Sequence, residues 1–281
     1  MPPYTCWDFH SHSTASDGLL SPEALVHRAA DNGVTALALT DHDTLDGLAL
    51  ARETAVMRGL EWVNGVEISV EWEGVAIHLV GLGFDSQAQI LQQNLQHLRE
   101  GRIRRARQMA DALARCGIGG AFEGAMRYAG NPELVSRAHF ARYLVEKGVC
   151  KDVRHVFEHY LVPGKPGYVE HRWASLPDAL TWIQASGGVA VIAHPARYKV
   201  LSGGRMKRLL AEFESLGGRA IEVVCGSHSP DHVAHFARLA RHFGFYASRG
   251  SDFHGPLESY CDLGDLRALP EDLKPVWRLL A

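Results

Sequence analysis

The strongest constraint on this chain is where its reactive residues fall: strand-length apolar runs end, one after another, in histidine or a carboxylate. His10 and His12 follow "CWDF", Asp41 and His42 follow "VTALALT", Glu67 follows "WVNGV", His78 lies within "VAIHLVGL", His194 follows "GGVAVIA", and Asp252 and His254 follow "FYASRGS". In an extended segment the side-chain period is two, so His10 and His12 point to the same side and can grip one object. Helical patterns separate the runs. "SPEALVHRAADNG" offers Ser21 as N-cap, Pro22 at the first helical position and Gly33 as a stop, and "TLDGLALARETAVMRG" is helical again. "GVEISVEW" and "VAIHLVGLGF" flank Glu73 and Gly74 as a hairpin. Strands alternating with helices imply an α/β fold, a mostly parallel barrel or doubly wound sheet, in which the C-terminal ends of the strands share one face.

From about residue 88 the character changes. "AQILQQNLQHLREGRIRRARQMADALARCG" is a long charged helical pattern, and "RAHFARYLVEKGV" and "DVRHVFEHY" continue it to the turn "VPGKPG" at 162–167. The expected organisation is a barrel from residues 1–98 and 168–281, interrupted by a helical subdomain over 99–167. After the turn, helices in "LPDALTWIQASGG", "GRMKRLLAEFESLGG" and "DHVAHFARLARHFG" alternate with strands in "VAVIAH", "AIEVVCG" and "FYASRGSDFH". "EDLKPVWRLLA" reads as a closing helix, and "YTCWDF" as an opening strand.

Composition narrows the function classes. Hydrophobic residues at 46% and charged residues at 22% are those of an ordinary globular protein, and a net charge of -3 argues against duplex nucleic acid as a partner. No apolar run approaches the length of a membrane span and "MPPYTCWDFH" lacks the features of a signal peptide, so a cytoplasmic location is expected. Cys6, Cys116, Cys150, Cys225 and Cys261 lie too far apart for a CxxC site and read as small core residues. The 16 histidines are the unusual count.

Each strand-end element has an ordinary reading when taken alone. A His-x-His pair is often a surface pair, "DHD" often begins a helix, and His78 alone reads as a strand histidine. The set argues otherwise. Burying this many imidazoles and carboxylates in one mouth without a cation leaves polar atoms unpaired at high cost, so a multi-metal centre is the simplest account.

In this order, "HSHSTASDG", "TDHD", "NGVEIS", "IHLVG", "VAVIAHP" and "GSDFHG" resemble the PHP (polymerase and histidinol phosphatase) family of metal phosphoesterases. The insertion, with "NPELVSRAHFARYLVEKG", looks like the branch that includes nucleoside 3′,5′-bisphosphate phosphatases and a 5′-to-3′ exoribonuclease. The resemblance implies a distorted seven-stranded (β/α) barrel with an inserted helical subdomain, binding two or three divalent metals, commonly Mn, Fe or Zn. Carried over residue by residue, it implies a first site from His10, His12, Glu67 and Asp252. A second comes from Glu67, His78 and His194 with Glu67 bridging, and a third from Asp17, His42 and His254. Asp252 and His254 would also serve catalysis. Many family members have histidine where this chain has Asp17; that oxygen donor, with no cysteine among the candidates, shifts the expectation from zinc toward manganese or iron.

Divalent cations held close together make hydroxide available near neutral pH and offset charge on a phosphate under attack, so phosphate-ester hydrolysis is the expected reaction. Within "VSRAHF", Ser136 is a plausible N-cap, His139 lies on its face of the helix, and Arg137 offers a planar fork to phosphate oxygens. These three, with Lys165 and Arg197, are the candidates for substrate binding. His228 in "CGSHSP" is a candidate to protonate the leaving alkoxide. Asp41 and Asp43 either orient His42 or begin the next helix. One cationic clamp beside a metal mouth suits a small doubly phosphorylated nucleotide, with the 5′ phosphate held and the 3′ phosphate removed. Exonuclease action on short single-stranded 5′-phosphorylated RNA needs nearly the same geometry, and a histidinol-phosphate-type phosphatase is a further alternative. A non-catalytic regulatory metal module is the competing class, and a competent residue at every expected ligand position speaks against it.

Overall fold

β1 (Trp7–Asp8), β2 (Ala36–Leu39) and β3 (Glu61–Trp72) run parallel to one another in a computed structural model that describes residues 6–170, 173–201 and 203–280. The first residues of the expected opening strand lie outside the described residues. β4 (Val75–Leu82) folds back on β3 through Glu73 and Gly74, whose φ values of 46° and 73° put both central residues in the left-handed region that suits a tight hairpin. A strand too short to leave a sequence signal, β5 (Ala174–Ser175), also pairs with β3. β6 (Val189–Ile192) lies antiparallel to β4, and β7 (Ala220–Cys225) and β8 (Tyr246–Gly250) follow it in parallel. Bonds from Phe9 N to Arg249 O (3.1 Å), Asp252 N to His10 O (2.8 Å) and His12 N to Phe253 O (2.8 Å) draw β8 onto β1. The result is a nearly closed barrel of seven strands ordered β1-β2-β3-β4-β6-β7-β8, with β4 alone reversed.

Two helices stand on the first half of the barrel. α1 (Pro22–Asp31) is capped by Ser21, whose hydroxyl accepts from Ala24 N at 3.2 Å, and it buries Leu25, Val26 and Ala29. α2 (Leu48–Arg58) starts later than its sequence pattern, because Thr44 accepts from Asp46 N and holds 44–46 as a turn; it stops at left-handed Gly59. α3 (Gln89–Arg115) is continuous across two hydrophobic cores. Its Leu91, Leu95 and Leu98 pack with the barrel, while Ala106, Met109 and Leu113 pack with α4 (Ala121–Met126), α5 (Arg137–Glu146), α6 (Val153–Val156) and the π-helical turn after it. The boundary expected at residue 99 therefore falls inside a helix. α7 (Leu176–Ala185), α8 (Gly204–Ser215) and α9 (Pro230–Phe243) cover the second half of the barrel.

The barrel interior is filled by Phe9, Ala36, Ala38, Val80, Leu82, Val191, Ala193 and Ala220, closed at the strand N-termini by Val276 and Trp277. Trp277 sits 4.0 Å from the Trp7 ring, edge to face. The expected closing helix is reduced to a single 3-10 turn, Val276–Leu279, because Pro275 cannot continue a helix from the residues before it. The cysteines also depart from the core reading. Cys225 is buried, Cys116 at the end of α3 is exposed, and the other three are intermediate.

Candidate metal centre

With the strand N-termini plugged, the opposite end of the barrel is where the charged residues gather. His10 and His12 follow β1, His42 follows β2, Glu67 and His78 are diagonal neighbours across the β3–β4 ladder, and His194, Asp252 and His254 follow β6 and β8. Two of these residues hold strained backbone: His194 and Asp252 have φ of 28° and 55°. Left-handed geometry at non-glycine residues costs about 1–3 kcal/mol each and persists where surrounding structure enforces it. At Asp252 the enforcing contact is the bond from its N–H to His10 O, which closes the barrel.

The side chains converge in three overlapping groups: His10, His12, Glu67 and Asp252; His42, Glu67 and His78; and His12, Asp17, His42 and His254. In the first, His10 Nε2 lies 3.3 Å from Glu67 Oε2 and 3.4 Å from Asp252 Oδ1, and His12 Nε2 lies 3.2 Å and 3.3 Å from the same two atoms. These separations match the edges of a tetrahedron whose centre is about 2.0–2.1 Å from each vertex, the length of a bond from zinc to imidazole nitrogen or carboxylate oxygen. Glu67 divides its oxygens. Oε1 faces His78 Nδ1 at 2.8 Å and His194 Nε2 at 2.9 Å, while Oε2 faces His42 Nδ1 at 3.1 Å as well as His10 and His12. In the third group His254 Nε2 is 3.4 Å from Asp17 Oδ1, with His12 Nδ1 and His42 Nε2 at 4.0 Å from the same carboxylate.

Unsatisfied atoms test whether cations fit here. Buried polar atoms without a hydrogen-bond partner include His10 Nε2, both nitrogens of His12, Asp17 Oδ1, His42 Nδ1, Glu67 Oε2 and Asp252 Oδ1. Buried polar groups are otherwise almost always paired, so a cluster of orphans aimed at common points fits metal ions. The electrostatics agree. Burial works against charge on Glu67, but His78, His42 and His10 hold its carboxyl well below the usual range; at Asp252 Arg197 and His10 overcome burial in the same way. Burial pushes His194 down to about 4. At His12 burial is outweighed by the nearby Asp252 and Glu67 carboxylates, which raise it to about 10, so a cation there would take the place of protons on the same lone pairs.

Supporting residues fix these donors in orientation. His10 Nδ1 donates to buried Glu222 at 2.7 Å, leaving Nε2 as a lone pair toward the cluster, and the other Glu222 oxygen accepts from His194 N. His254 Nδ1 donates to the Asp252 carbonyl at 3.0 Å, which turns Nε2 toward Asp17. Asp41 accepts from Ser13 N (2.7 Å), Ser13 Oγ (2.6 Å) and Ser16 Oγ (2.6 Å), holding the loop between His12 and Asp17. Asp43 accepts from Ser69 N at 2.9 Å and from Arg102 Nε at 2.8 Å, and so ties the strand ends to α3. No hydrogen bond or ion pair joins either aspartate to the His42 ring among the described residues. Glu222 escaped the sequence reading because it lies inside an apolar run, "AIEVVC"; a lone carboxylate there was the available signal.

The candidates for substrate binding separate. Ser136 caps α5, accepting from Ala138 N at 3.2 Å, and its hydroxyl donates to Asp17 Oδ2 at 3.2 Å. His139 accepts from Ser136 N at 3.0 Å through Nδ1, so its ring proton is on the buried Nε2; burial pushes its pKa down to about 4. Arg137 reaches the Leu161 carbonyl at 3.3 Å and the face of Phe157, and burial lowers its pKa. Arg105, one helical face of α3 away from notice in "GRIRRARQ", belongs with it: buried beside Tyr168 and Trp173, bonded to Val169 O at 2.9 Å, and pushed by burial down to about 9. Arg197 pairs with Asp252 Oδ2 and bonds Ser227 Oγ at 3.3 Å. Lys165 is exposed in its turn, and among the described residues no contact joins it to the cluster. His228 donates from Nδ1 to Val223 O at 3.0 Å and stacks on Phe236, with burial lowering its pKa.

Comparison with known proteins accounts for this geometry. Residues 8–129 match the PHP domain. The chain is 51% identical over 275 residues to a 3′,5′-nucleoside bisphosphate phosphatase of Chromobacterium violaceum, covering 97% of this chain and 95% of that protein. It is 45% identical over 275 residues to the 5′-3′ exoribonuclease Rnm of Escherichia coli, covering 97% and 93%. A solved structure of an amidohydrolase from Chromobacterium violaceum, with bound sulfate and no metal, superposes with a TM-score of 0.94 at 51% identity, over 98% of this chain and 96% of that one. With a seven-stranded barrel, a histidine and carboxylate mouth, and such similarity along nearly its whole length, the chain belongs to the PHP family of metal-dependent phosphoesterases.

Proposed function

We propose that the protein removes the 3′ phosphate of nucleoside 3′,5′-bisphosphates. The observation that carries the reading is the pairing of a metal-type cluster with two guanidiniums, one buried and one half-buried, that have no carboxylate hydrogen bond among the described residues. Among the described residues Arg105 and Arg137 hydrogen-bond backbone carbonyls and lie against aromatic faces, and burial disfavours their charge. A phosphate beside them restores the lost solvation through charge-assisted hydrogen bonds. Ser136 joins that clamp to Asp17 of the cluster.

His10, His12, Asp17, His42, Glu67, His78, His194, Asp252 and His254 would hold three divalent ions, with manganese or iron favoured by the share of carboxylate oxygen among the donors. Such ions lower the pKa of water and offset phosphate charge. The residues themselves do the rest. Glu222 and the Asp252 carbonyl orient His10 and His254, Arg197 lies against Asp252 where a non-bridging phosphate oxygen would enter, and the clamp fixes the 5′ phosphate. In the reaction a water gives up a proton to solvent as its oxygen bonds to phosphorus, the bond from phosphorus to O3′ breaks, and O3′ takes a proton from solvent, leaving a nucleoside 5′-monophosphate and inorganic phosphate. His228 stays outside this scheme, because a backbone carbonyl only accepts and so its neutral ring keeps its proton on Nδ1, with a lone pair at Nε2. The exoribonuclease relative supports a second reading in which the same O3′ bond is broken in short 5′-phosphorylated RNA. Manganese-loaded protein assayed against nucleoside mono- and bisphosphates is expected to release inorganic phosphate and a nucleoside 5′-monophosphate from the bisphosphate alone. Equal rates on 3′-monophosphates would remove the clamp from the reading.

A further inference from the structure

Beyond Asp252 and His254 the chain forms a loop that is pinned at several points and yet displays apolar side chains to water. Ser259 Oγ accepts from His254 N at 2.8 Å and Gly255 N at 3.0 Å. Glu258 takes both nitrogens of the Arg142 fork at 2.9 and 2.6 Å, and Asp262 takes those of Arg28 at 2.8 and 2.5 Å. Between these anchors Leu257 is 95% exposed and Tyr260 is 76% exposed. Leu19, also exposed, lies on the loop after Asp17 and bonds His254 O through its N–H at 2.7 Å. Single exposed apolar residues need no explanation. Three on the two loops that carry Asp17, Asp252 and His254, held on fixed backbone, make a rim to the mouth.

Tyr260 is the aromatic member of that rim, and Arg197 connects it to the cluster. The Arg197 guanidinium carbon lies 5.8 Å from the Tyr260 ring centroid, while its Nη2 pairs with Asp252 Oδ2. The ring thus stands one side chain from a carboxylate of the first group, on the Asp252 side of the mouth. The phosphate clamp of Ser136 and Arg137 meets the cluster on the Asp17 side. A nucleotide clamped by its 5′ phosphate, with its 3′ phosphate at the cluster, would direct whatever is esterified beyond that phosphate toward Arg197 and Tyr260. Exposed aromatic rings paired with arginine are the usual platform for single-stranded bases, since every base has a π face.

We propose that Tyr260 is a specificity-determining residue that stacks the base of the nucleotide downstream of the scissile phosphate when the short 5′-phosphorylated RNA of the second reading occupies the site. The proposal rests on the bisphosphate reading for the position of the clamp. A 3′,5′-bisphosphate has no downstream nucleotide and gains nothing from the ring.

The test compares manganese-loaded wild type, Tyr260→Ala and Tyr260→Phe on a nucleoside 3′,5′-bisphosphate and on a 5′-phosphorylated trinucleotide RNA. The ratio of kcat/KM for the trinucleotide to that for the bisphosphate is expected to fall about tenfold to a hundredfold in Tyr260→Ala, mainly through KM, and to be restored in Tyr260→Phe. An unmoved ratio in Tyr260→Ala overturns the proposal. Wild type that cleaves the bisphosphate and leaves the trinucleotide intact also overturns it while the bisphosphate reading stands, whereas wild type that cleaves neither overturns both.

Discussion

The barrel mouth and the helical insertion hold their charges in opposite ways. At the mouth, imidazoles and carboxylates point at one another, with distances near 3 Å and lone pairs left over for cations. In the insertion, Arg105 is buried and Arg137 half-buried against carbonyls and rings, with no carboxylate hydrogen-bonded to either guanidinium among the described residues. The first arrangement suits a reaction centre and the second suits recognition of an anion. On the proposed reading the reaction centre lies at the mouth and the 5′-phosphate clamp in the insertion, so the two can be perturbed separately.

The largest expected effect comes from the mouth. Asp252→Asn removes a charge shared by His10, His12 and Arg197, and turnover is expected to fall by at least about a thousandfold for every phosphate ester, with loss of bound metal by elemental analysis. Wild-type rates in that variant would erase the contrast between the two regions. Arg137→Ala sharpens it. Loss of a charge-assisted bond to phosphate costs about 1.5–3 kcal/mol, so kcat/KM for a bisphosphate is expected to drop about 10- to 150-fold, while hydrolysis of a simple aryl phosphate stays within about twofold. Equal losses on both substrates would place Arg137 with the mouth. Glu222→Gln acts on the orientation of His10 and is expected to weaken metal binding about 10- to 100-fold, read by titration of the metal against activity and against a competing chelator.

The smallest effect concerns stability. Burial depresses His139 to about 4, below the ordinary value of 6.5 that it regains on unfolding. Between those values the unfolded state binds more protons, so this contribution is complete above pH 6.5 and is lost as pH falls toward 4. Wild type is expected to lose about 1–2 kcal/mol more than His139→Asn between pH 7 and pH 5 in denaturant titrations. Parallel behaviour of the two proteins would contradict a buried neutral imidazole in the insertion.

The same contrast explains what could be read without coordinates. Strand-end residues such as His10, His194 and Asp252 were legible because a barrel converts sequence position into a common face. The hairpin at Glu73 and Gly74 and the Ser21 cap were legible because their signals are local. The reversal of β4 against β6 depends on pairing between strands more than a hundred residues apart, and the loss of the closing helix on a proline whose effect competes with a helical pattern. Arg105 read as one charge among many in a solvated helix, because only the packing of α3 against Tyr168 and Trp173 takes it out of water.

Because α3 runs unbroken from Leu91 in one core to Leu113 in the other, its register is a setting shared by both. One residue inserted between Leu98 and Ala106 would turn everything beyond it by about 100° and advance it by about 1.5 Å. The strand ends would keep their donors, but Arg105 would face a different neighbourhood. A length change far from any reacting atom would thus shift the proposed clamp against the mouth, through the ties of Arg102 to Asp43 and Ser136 to Asp17.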